Sequence, residues 1–410
     1  MLAIDGGTAV RTTPYPKRAL FGEQERDAAM ALFDQAVESG DPIGYNGPEE
    51  QAYEQAFAEW HGGGFADLVN SGTSALYVAL GGLELEPAGE VVIPPITDPG
   101  GAMPVALHNL VPVPADAAPG TFNIGGQQIA DVLTPHTRAI VVAHIAGEPA
   151  DMGPILELAN SRGIPVVEDC AQAHGARYAG QMVGTMGAVA AFSTMSGKHH
   201  ATGPQGGVVF SVDEDLAGRC RRFADRGKPF GLPGRSNVRA GLNLNGSDLA
   251  AAVGRVQLQK LDKIIAGRRH VAVRIAAGLA DCDGLSLGLE AAGAESVYWF
   301  LRIAVTAEVF KKDKAALAAA VAAEGIPVNP SYRHLPAEAE WFRERNVFPP
   351  SDYPWGLQDY KGDRDAQFTC PNAVESVESH FILSIHENWG DADTDDAIAA
   401  LRKVADAYRA

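Results

Sequence analysis

Between about residue 66 and residue 210, short apolar runs alternate with helical stretches, and this alternation restricts the fold more than any other feature of the chain. Val91-Val92-Ile93 reads as a strand that stops at Pro94-Pro95. Ala139 to Ala143 is a second strand, rich in β-branched residues. Asp151 to Arg162 offers Ile155, Leu156 and Leu158 to one face of a helix, and Pro165 to Glu168 is the next strand. Strand, helix and strand in that order make a βαβ unit, with a right-handed crossover and a mostly parallel sheet. Near-continuous apolar strands suit a sheet covered on both faces.

The 410 residues suffice for two domains with a large core. A long helix is expected over 247–270, capped by Ser247 or Asp248, and it suits a connection from a large domain to a smaller one. Beyond it come a strand near Tyr298 to Val305, an alanine-rich helix from Asp313 to Glu324, and a loop-like stretch from Asn329 to Thr369. A final helix carries Ile398, Leu401, Val404 and Tyr408 on one face, with Asp393 or Thr394 as cap. The Pro-rich piece from Phe348 to Asp363 is long for a passive connection and is expected to cover a site. Net charge is −18, which disfavours nucleic acid or an anionic membrane as the main partner. No apolar run approaches the ~20 residues of a membrane span, and no signal peptide is expected. Cys170, Cys220, Cys282 and Cys370 are widely spaced, which suits a reducing cytoplasm and indicates no metal site.

Three polar spots punctuate the strands. Asn70-Ser71-Gly72-Thr73-Ser74 opens an apolar helical run, and helix N-terminal amides can hold a phosphate, although ordinary caps have the same composition. Glu168-Asp169 ends a buried strand, where acids line ligand crevices but also serve as caps or buried ion pairs. Lys198 follows the strand Val189 to Ser193 in a loop that runs on to Gly206-Gly207. A lone loop lysine is usually a solvated charge. Together with the strand-end acid and the phosphate-type turn, it suits a pyridoxal phosphate (PLP) enzyme. Lys198 would hold the cofactor as a Schiff base, and Asp169 would pair with the protonated ring nitrogen.

The chain resembles the DegT/DnrJ/StrS sugar aminotransferases. The likeness runs through Gly72-Thr73-Ser74-Ala75-Leu76, His144-Ile145-Ala146-Gly147-Glu148-Pro149-Ala150-Asp151-Met152, Glu168-Asp169-Cys170-Ala171-Gln172-Ala173-His174-Gly175, Phe192-Ser193 with Lys198, and Gly241-Leu242-Asn243. Gly6-Gly7-Thr8 and Cys370-Pro371-Asn372 resemble the aminocyclitol and aminoshikimate branch. The resemblance implies an α/β protein of the aspartate-aminotransferase-like type I fold. Residues 1–265 would form an N-terminal arm and a large PLP-binding domain, with a mostly parallel seven-stranded sheet between helices. Residues 266–410 would form a smaller C-terminal α+β domain. It further implies that Lys198 and Asp169 are catalytic, that Gln172 lies near a ring oxygen of the cofactor, and that Gly72, Thr73, Ser74 and Ser193 hold its phosphate. Asn243 would reach the phosphate of the neighbouring subunit, which implies a homodimer with shared sites.

The chain also departs from the family pattern. Asp98 occupies a slot where many members stack an aromatic residue on the cofactor ring. The glycine loop Gly203-Pro204-Gln205-Gly206-Gly207 is one residue longer than usual, and Asn243-Leu244-Asn245 lacks the usual arginine. His199, Tyr332, Arg333, His334 and His386 are further candidates for substrate contact, together with Asp98. The implied reaction moves an amino group from L-glutamine or L-glutamate to a keto-cyclitol, a keto-sugar or a related cyclic ketone. The alternative of the same fold is a sugar dehydratase or an aminoshikimate-type aromatising enzyme.

Overall fold

The computed structural model describes residues 1–234 and 236–410. Seven strands form the main sheet, in the order Phe65–Val69, Gly207–Ser211, Val189–Ser193, Val166–Asp169, Thr137–Ala143, Glu90–Ile93, Val111–Pro114. The first two pairings are antiparallel and the rest parallel. Val166–Asp169 and Thr137–Ala143 are buried along almost their whole length, as strands covered on both faces must be. One apolar layer packs helix Gly72–Leu83 against the sheet through Leu76, Val78 and Leu80. The other face carries Tyr53, Phe57, Leu258 and Leu261 in one region and Ile155 with Ala159 in another.

The connecting helix runs from Asp248 to Leu279, nine residues beyond the stretch read from sequence (279 − 270), and Ser247 caps it by accepting the Ala250 N–H. Asp248 instead accepts the Glu50 N–H. Along this helix the packing changes partner. Leu258, Leu261 and Ile265 belong to the core beneath the large sheet, whereas Val271, Ala272, Ile275 and Leu279 pack on a four-stranded antiparallel sheet. That sheet has the order Leu285–Leu287, Leu301–Val305, His380–Leu383, Val328–Asn329.

Three local features add to the sequence reading or change it. The N-terminal arm packs with the C-terminal core: Leu2 is buried there, and the Ala3 and Val10 amides donate to Glu324. The last helix, Asp391–Tyr408, starts one residue after Gly390, and Asp393 accepts the Gly390 N–H from within the first turn. Finally, the segment around Phe348 to Asp363 lies over the edge of the large sheet. Trp355 and Tyr360 pack on Ala88 and Val111, and the Tyr360 hydroxyl donates to Glu90. An exposed edge strand offers unpaired backbone groups, so covering it is sufficient reason for the segment's length.

Candidate active site

The parallel strands end on one side of the sheet, and chemistry-bearing residues collect there. Asp169 is the last residue of its strand and stands in register with Ala143 and Ala191 on its two neighbours. Lys198 lies in the connection between Val189–Ser193 and its antiparallel neighbour Gly207–Ser211. That connection is cinched at its base, where Thr202 N–H donates to Thr194 O and the two threonine hydroxyls meet at 2.7 Å. A tight turn, Lys198 N–H to Met195 O at 2.9 Å, then presents the lysine.

A cavity of about 270 Å³ lies at this edge. Gly72, Thr73, Asp98, Asp169, Gln172, Ser193 and Lys198 all line it. Lys198 is only 8 % exposed, and burial pulls its amine down to about 8 against the opposing pull of Asp169 and Asp98. Its Nζ lies 3.8 Å from the centre of the Trp299 ring, a cation–π contact in place of an ion pair. Asp169 is half-buried at the cavity wall, and its partial desolvation raises its carboxyl pKa although the Ala171 amide and the charge of Lys198 oppose the shift. Its Oδ1 accepts the Ala171 N–H at 3.0 Å. Among the described residues, Oδ2 has no hydrogen-bond partner. A buried amine and a half-buried carboxylate thus share one cavity without touching.

The third component is the start of helix Gly72–Leu83. Ser71 caps it by accepting the Ser74 N–H at 3.0 Å. The amides of Gly72 and Thr73 precede the first intrahelical bonds, so they are donors in search of an acceptor. Glycine is required at 72: a Cβ there would stand 2.6 Å from the Ser193 Cβ. Ser74, for which a phosphate contact is expected, is engaged within the cap. Its hydroxyl donates to Asn70 at 2.6 Å and accepts from Ser71, and it does not line the cavity. Ser71 lines the cavity instead.

Gln172 is held from both ends, accepting the Ala146 N–H and donating to the Tyr332 hydroxyl, each at 2.8 Å. Asp98 caps the short turn Pro99–Gly101 by accepting the Gly100 N–H, which gives this acid a structural reason to stand in an aromatic slot. An adjoining cavity of about 250 Å³ shares Thr97 with the first and is lined by Arg333, His334 and Trp341. Arg333 is already paired with Glu338 and Glu378.

Several expected residues lie elsewhere. His199 is fully buried and donates through Nε2 to Val297 O at 3.0 Å, so it packs the loop from behind. His386 bonds the Pro16 carbonyl of the N-terminal arm. Asn243 is exposed, holds Asn245 at 2.7 Å and does not line the cavity of its own chain. His144, Glu168 and Cys170 could crowd a metal ion. However, His144 takes the Ala150 N–H on Nδ1 and meets Glu168 with Nε2, and Glu168 accepts three further amides, from Gly184, Met186 and Gly187. A larger cleft of about 470 Å³, between helices Pro48–Trp60 and Glu214–Ala224, contains none of the expected site residues.

Trp299 was not visible as a site residue from sequence. It lies some hundred residues beyond Lys198, and only the docking of the small domain brings it there. Thr97, Gly101 and Ala171 also line the cavity. Their one sequence signal is closeness to Asp98 and Asp169.

The donor set suits a flat molecule with three different ends. An aldehyde would meet the amine, a protonated ring nitrogen would meet Asp169 Oδ2, and a phosphate would meet the helix start with Ser193.

The chain is similar to known aminotransferases in sequence and in fold. The DegT/DnrJ/EryC1/StrS aminotransferase family matches residues 23–402. An L-glutamine:2-deoxy-scyllo-inosose aminotransferase from Streptomyces kanamyceticus is 34% identical over 357 residues, covering 82% of this chain and 81% of that protein. The enzyme of the same name from Streptomyces fradiae is 30% identical over 425 residues, covering 98% and 97%. The crystal structure of aminotransferase TlmJ from Streptoalloteichus hindustanus superposes with a TM-score of 0.80 at 28% identity, over 97% of this chain and 99% of that one. The mixed, mostly parallel sheet between helices is the type I fold of PLP-dependent transferases. The chain is an aminotransferase and belongs to the DegT/DnrJ/EryC1/StrS family.

Proposed function

We propose that the protein transfers an amino group from L-glutamine or L-glutamate to the ketone of a keto-cyclitol, keto-sugar or related cyclic substrate, with PLP as cofactor. The observation that carries this reading is the pair Lys198 and Asp169, which line one cavity without forming an ion pair with each other. PLP, when bound, supplies an electrophilic aldehyde carbon and a pyridinium ring that accepts the electrons of a broken C–H bond.

The chain's residues would divide the remaining work. Asp169 Oδ2 accepts the ring N–H and keeps the ring protonated. The Gly72 and Thr73 amides, with the Ser193 hydroxyl, bind the phosphate. Lys198 anchors the cofactor, and its freed Nζ takes the proton from the donor carbon and returns it to the product side. An amine with a pKa near 8 is suited to both tasks around neutral pH. Gln172, fixed at both ends, orients the ring face. Asp98 stands at the cavity wall, where a carboxylate accepts hydrogen bonds from the hydroxyls of a polyol ring. The names of the two Streptomyces enzymes support a cyclitol ketone as acceptor.

In the same proposal the protein works as a homodimer in the cytoplasm, with the partner's Asn243 reaching the phosphate. Exposure of Asn243 away from its own cavity supports the shared site. Among the described residues, no helix is long and apolar enough to cross a membrane.

The test uses Lys198→Ala. It should lose turnover and the visible absorbance of bound PLP. In the unaltered protein, donor alone should convert the cofactor to its pyridoxamine form. Retention of that absorbance and turnover by Lys198→Ala would sink the reading.

A further inference from the structure

The carbonyl oxygens of Gly197 and Lys198 are both gripped by side chains from other parts of the chain. The Trp299 indole N–H donates to Gly197 O at 3.0 Å, and Arg18 Nη2 donates to Lys198 O at 2.7 Å. These two grips are themselves joined. Arg18 Nε holds Glu387 Oε1 at 2.9 Å, and Arg268 Nε holds Glu387 Oε2 at 2.9 Å. Arg268 Nη1 then donates to Trp299 O at 3.0 Å and to Tyr298 O at 2.9 Å. The links close a ring that starts and ends on the lysine loop and passes through the N-terminal arm, the long helix and the small domain.

Two features mark this ring as more than surface decoration. Its central ion pair is desolvated: the side chains of Arg268 and Glu387 are 3 % and 8 % exposed. Buried ion pairs of this kind depend on both partners, because removing one leaves the other charged and unpaired. It also holds strain. Tyr298 has φ of 51°, a left-handed conformation unfavourable for a non-glycine residue, and Arg268 binds that residue's carbonyl. Gly267 permits the approach, since a Cβ there would lie 2.7 Å from the Glu387 carbonyl oxygen.

We propose that Arg18 and Glu387, acting through this ring, are positioning residues for Lys198: they fix its backbone from behind so that Nζ reaches the cavity at a set place and angle. The N-terminal arm is then part of the active site although none of it lines the cavity. The inference rests on Lys198 being the cofactor-bearing amine.

The test compares Arg18→Met, Glu387→Gln and the conservative Arg18→Lys as PLP-loaded enzymes. Three quantities are measured: the pH titration of the bound-cofactor absorbance, the rate and donor affinity of the first half-reaction in rapid mixing, and thermal unfolding. Loose positioning should shift the titration midpoint and slow the half-reaction by up to about 100-fold, with donor affinity unchanged. Arg18→Lys should recover part of both losses. Unchanged titration and rate in both Arg18→Met and Glu387→Gln would overturn the proposal, whatever their melting points. A rate loss that only follows the fraction of unfolded protein, and that Arg18→Lys does not reverse, would overturn it too. The reading of Lys198 itself fails separately, if Lys198→Ala keeps the absorbance.

Discussion

The side-chain amide of Gln172 donates to the Tyr332 hydroxyl at 2.8 Å, joining the loop after the central strand to a loop of the C-terminal part of the chain. Gln172 is buried, and its other end is committed to the Ala146 N–H. Tyr332→Phe therefore leaves a buried N–H without an acceptor, at a cost of about 1–3 kcal/mol. Urea unfolding should report that loss. Tyr332 also packs on His334 at 4.6 Å between ring centres, beside the adjoining cavity. The acceptor KM should then rise, with the donor half-reaction unchanged. A slowed donor half-reaction would instead place the Tyr332 hydroxyl in the chemistry of the first cavity.

Lys198 provides a pH prediction whose sign is fixed by burial. Its amine is pulled down to about 8, so in cofactor-free protein at pH 7 about one molecule in ten carries the neutral nucleophile. The rate of PLP capture should rise through about pH 8 and level off above it. Asp98 opposes the downward pull, because a nearby negative charge favours the ammonium form. Asp98→Asn should thus move the midpoint lower and speed capture at neutral pH. Stopped-flow absorbance across the pH range measures both. A midpoint that rises in Asp98→Asn would show that the carboxylate acts by holding the Pro99–Gly101 turn and not by its charge.

These two sites differ in how far sequence could reach them. The positions of Asp169 and Lys198 at and beyond strand ends were legible because polar residues there punctuate apolar runs, and their joint spacing pointed to one cavity, which both line. The mostly parallel character of the sheet followed from the same periodicity, whereas the order of its strands did not. Trp299 was not legible, since an aromatic in a mixed segment looks like core until the small domain is docked. Where the Phe348 to Asp363 stretch lies was not legible, because length alone does not say which surface a loop covers. Trp355 and Tyr360 carried the relevant signal, as apolar side chains that must bury somewhere. Ser71 and Ser74 could not be told apart, because the cap and the phosphate turn use the same residue types and only geometry separates them.

His199 stands beside the lysine in sequence but does not line the lysine's cavity. Its ring is fully buried among His174 and neighbouring core groups, and burial pushes its pKa well down, so it stays neutral. His199→Leu removes the donor to Val297 O and should cost about 1–3 kcal/mol in urea unfolding. Acceptor KM should not move. A raised KM at unchanged stability would return His199 to the list of substrate contacts.

Arg302 and Glu148 supply the last prediction, because they join the small-domain strand Leu301–Val305 to the loop after strand Thr137–Ala143. Arg302 is fully buried, and its Nε lies 2.9 Å and 3.0 Å from the two Glu148 oxygens. Arg302→Met leaves a buried carboxylate alone, so destabilisation of about 3–5 kcal/mol is expected. Its pH dependence follows from the sign of the shift. Burial pushes Glu148 up, to about 7, while Arg302 pulls it back down. Without Arg302 the folded-state value rises further. The folded variant then binds more protons than the folded parent above about pH 7, and its deficit grows as pH rises through that point. Below it, both carry a protonated Glu148 and the extra loss disappears. Urea unfolding at about pH 6 and about pH 8 should therefore give the larger deficit at the higher value. A deficit of equal size at both would mean that lost packing over Phe122, which the guanidinium covers at 4.9 Å, is the main cost and the charge a minor one.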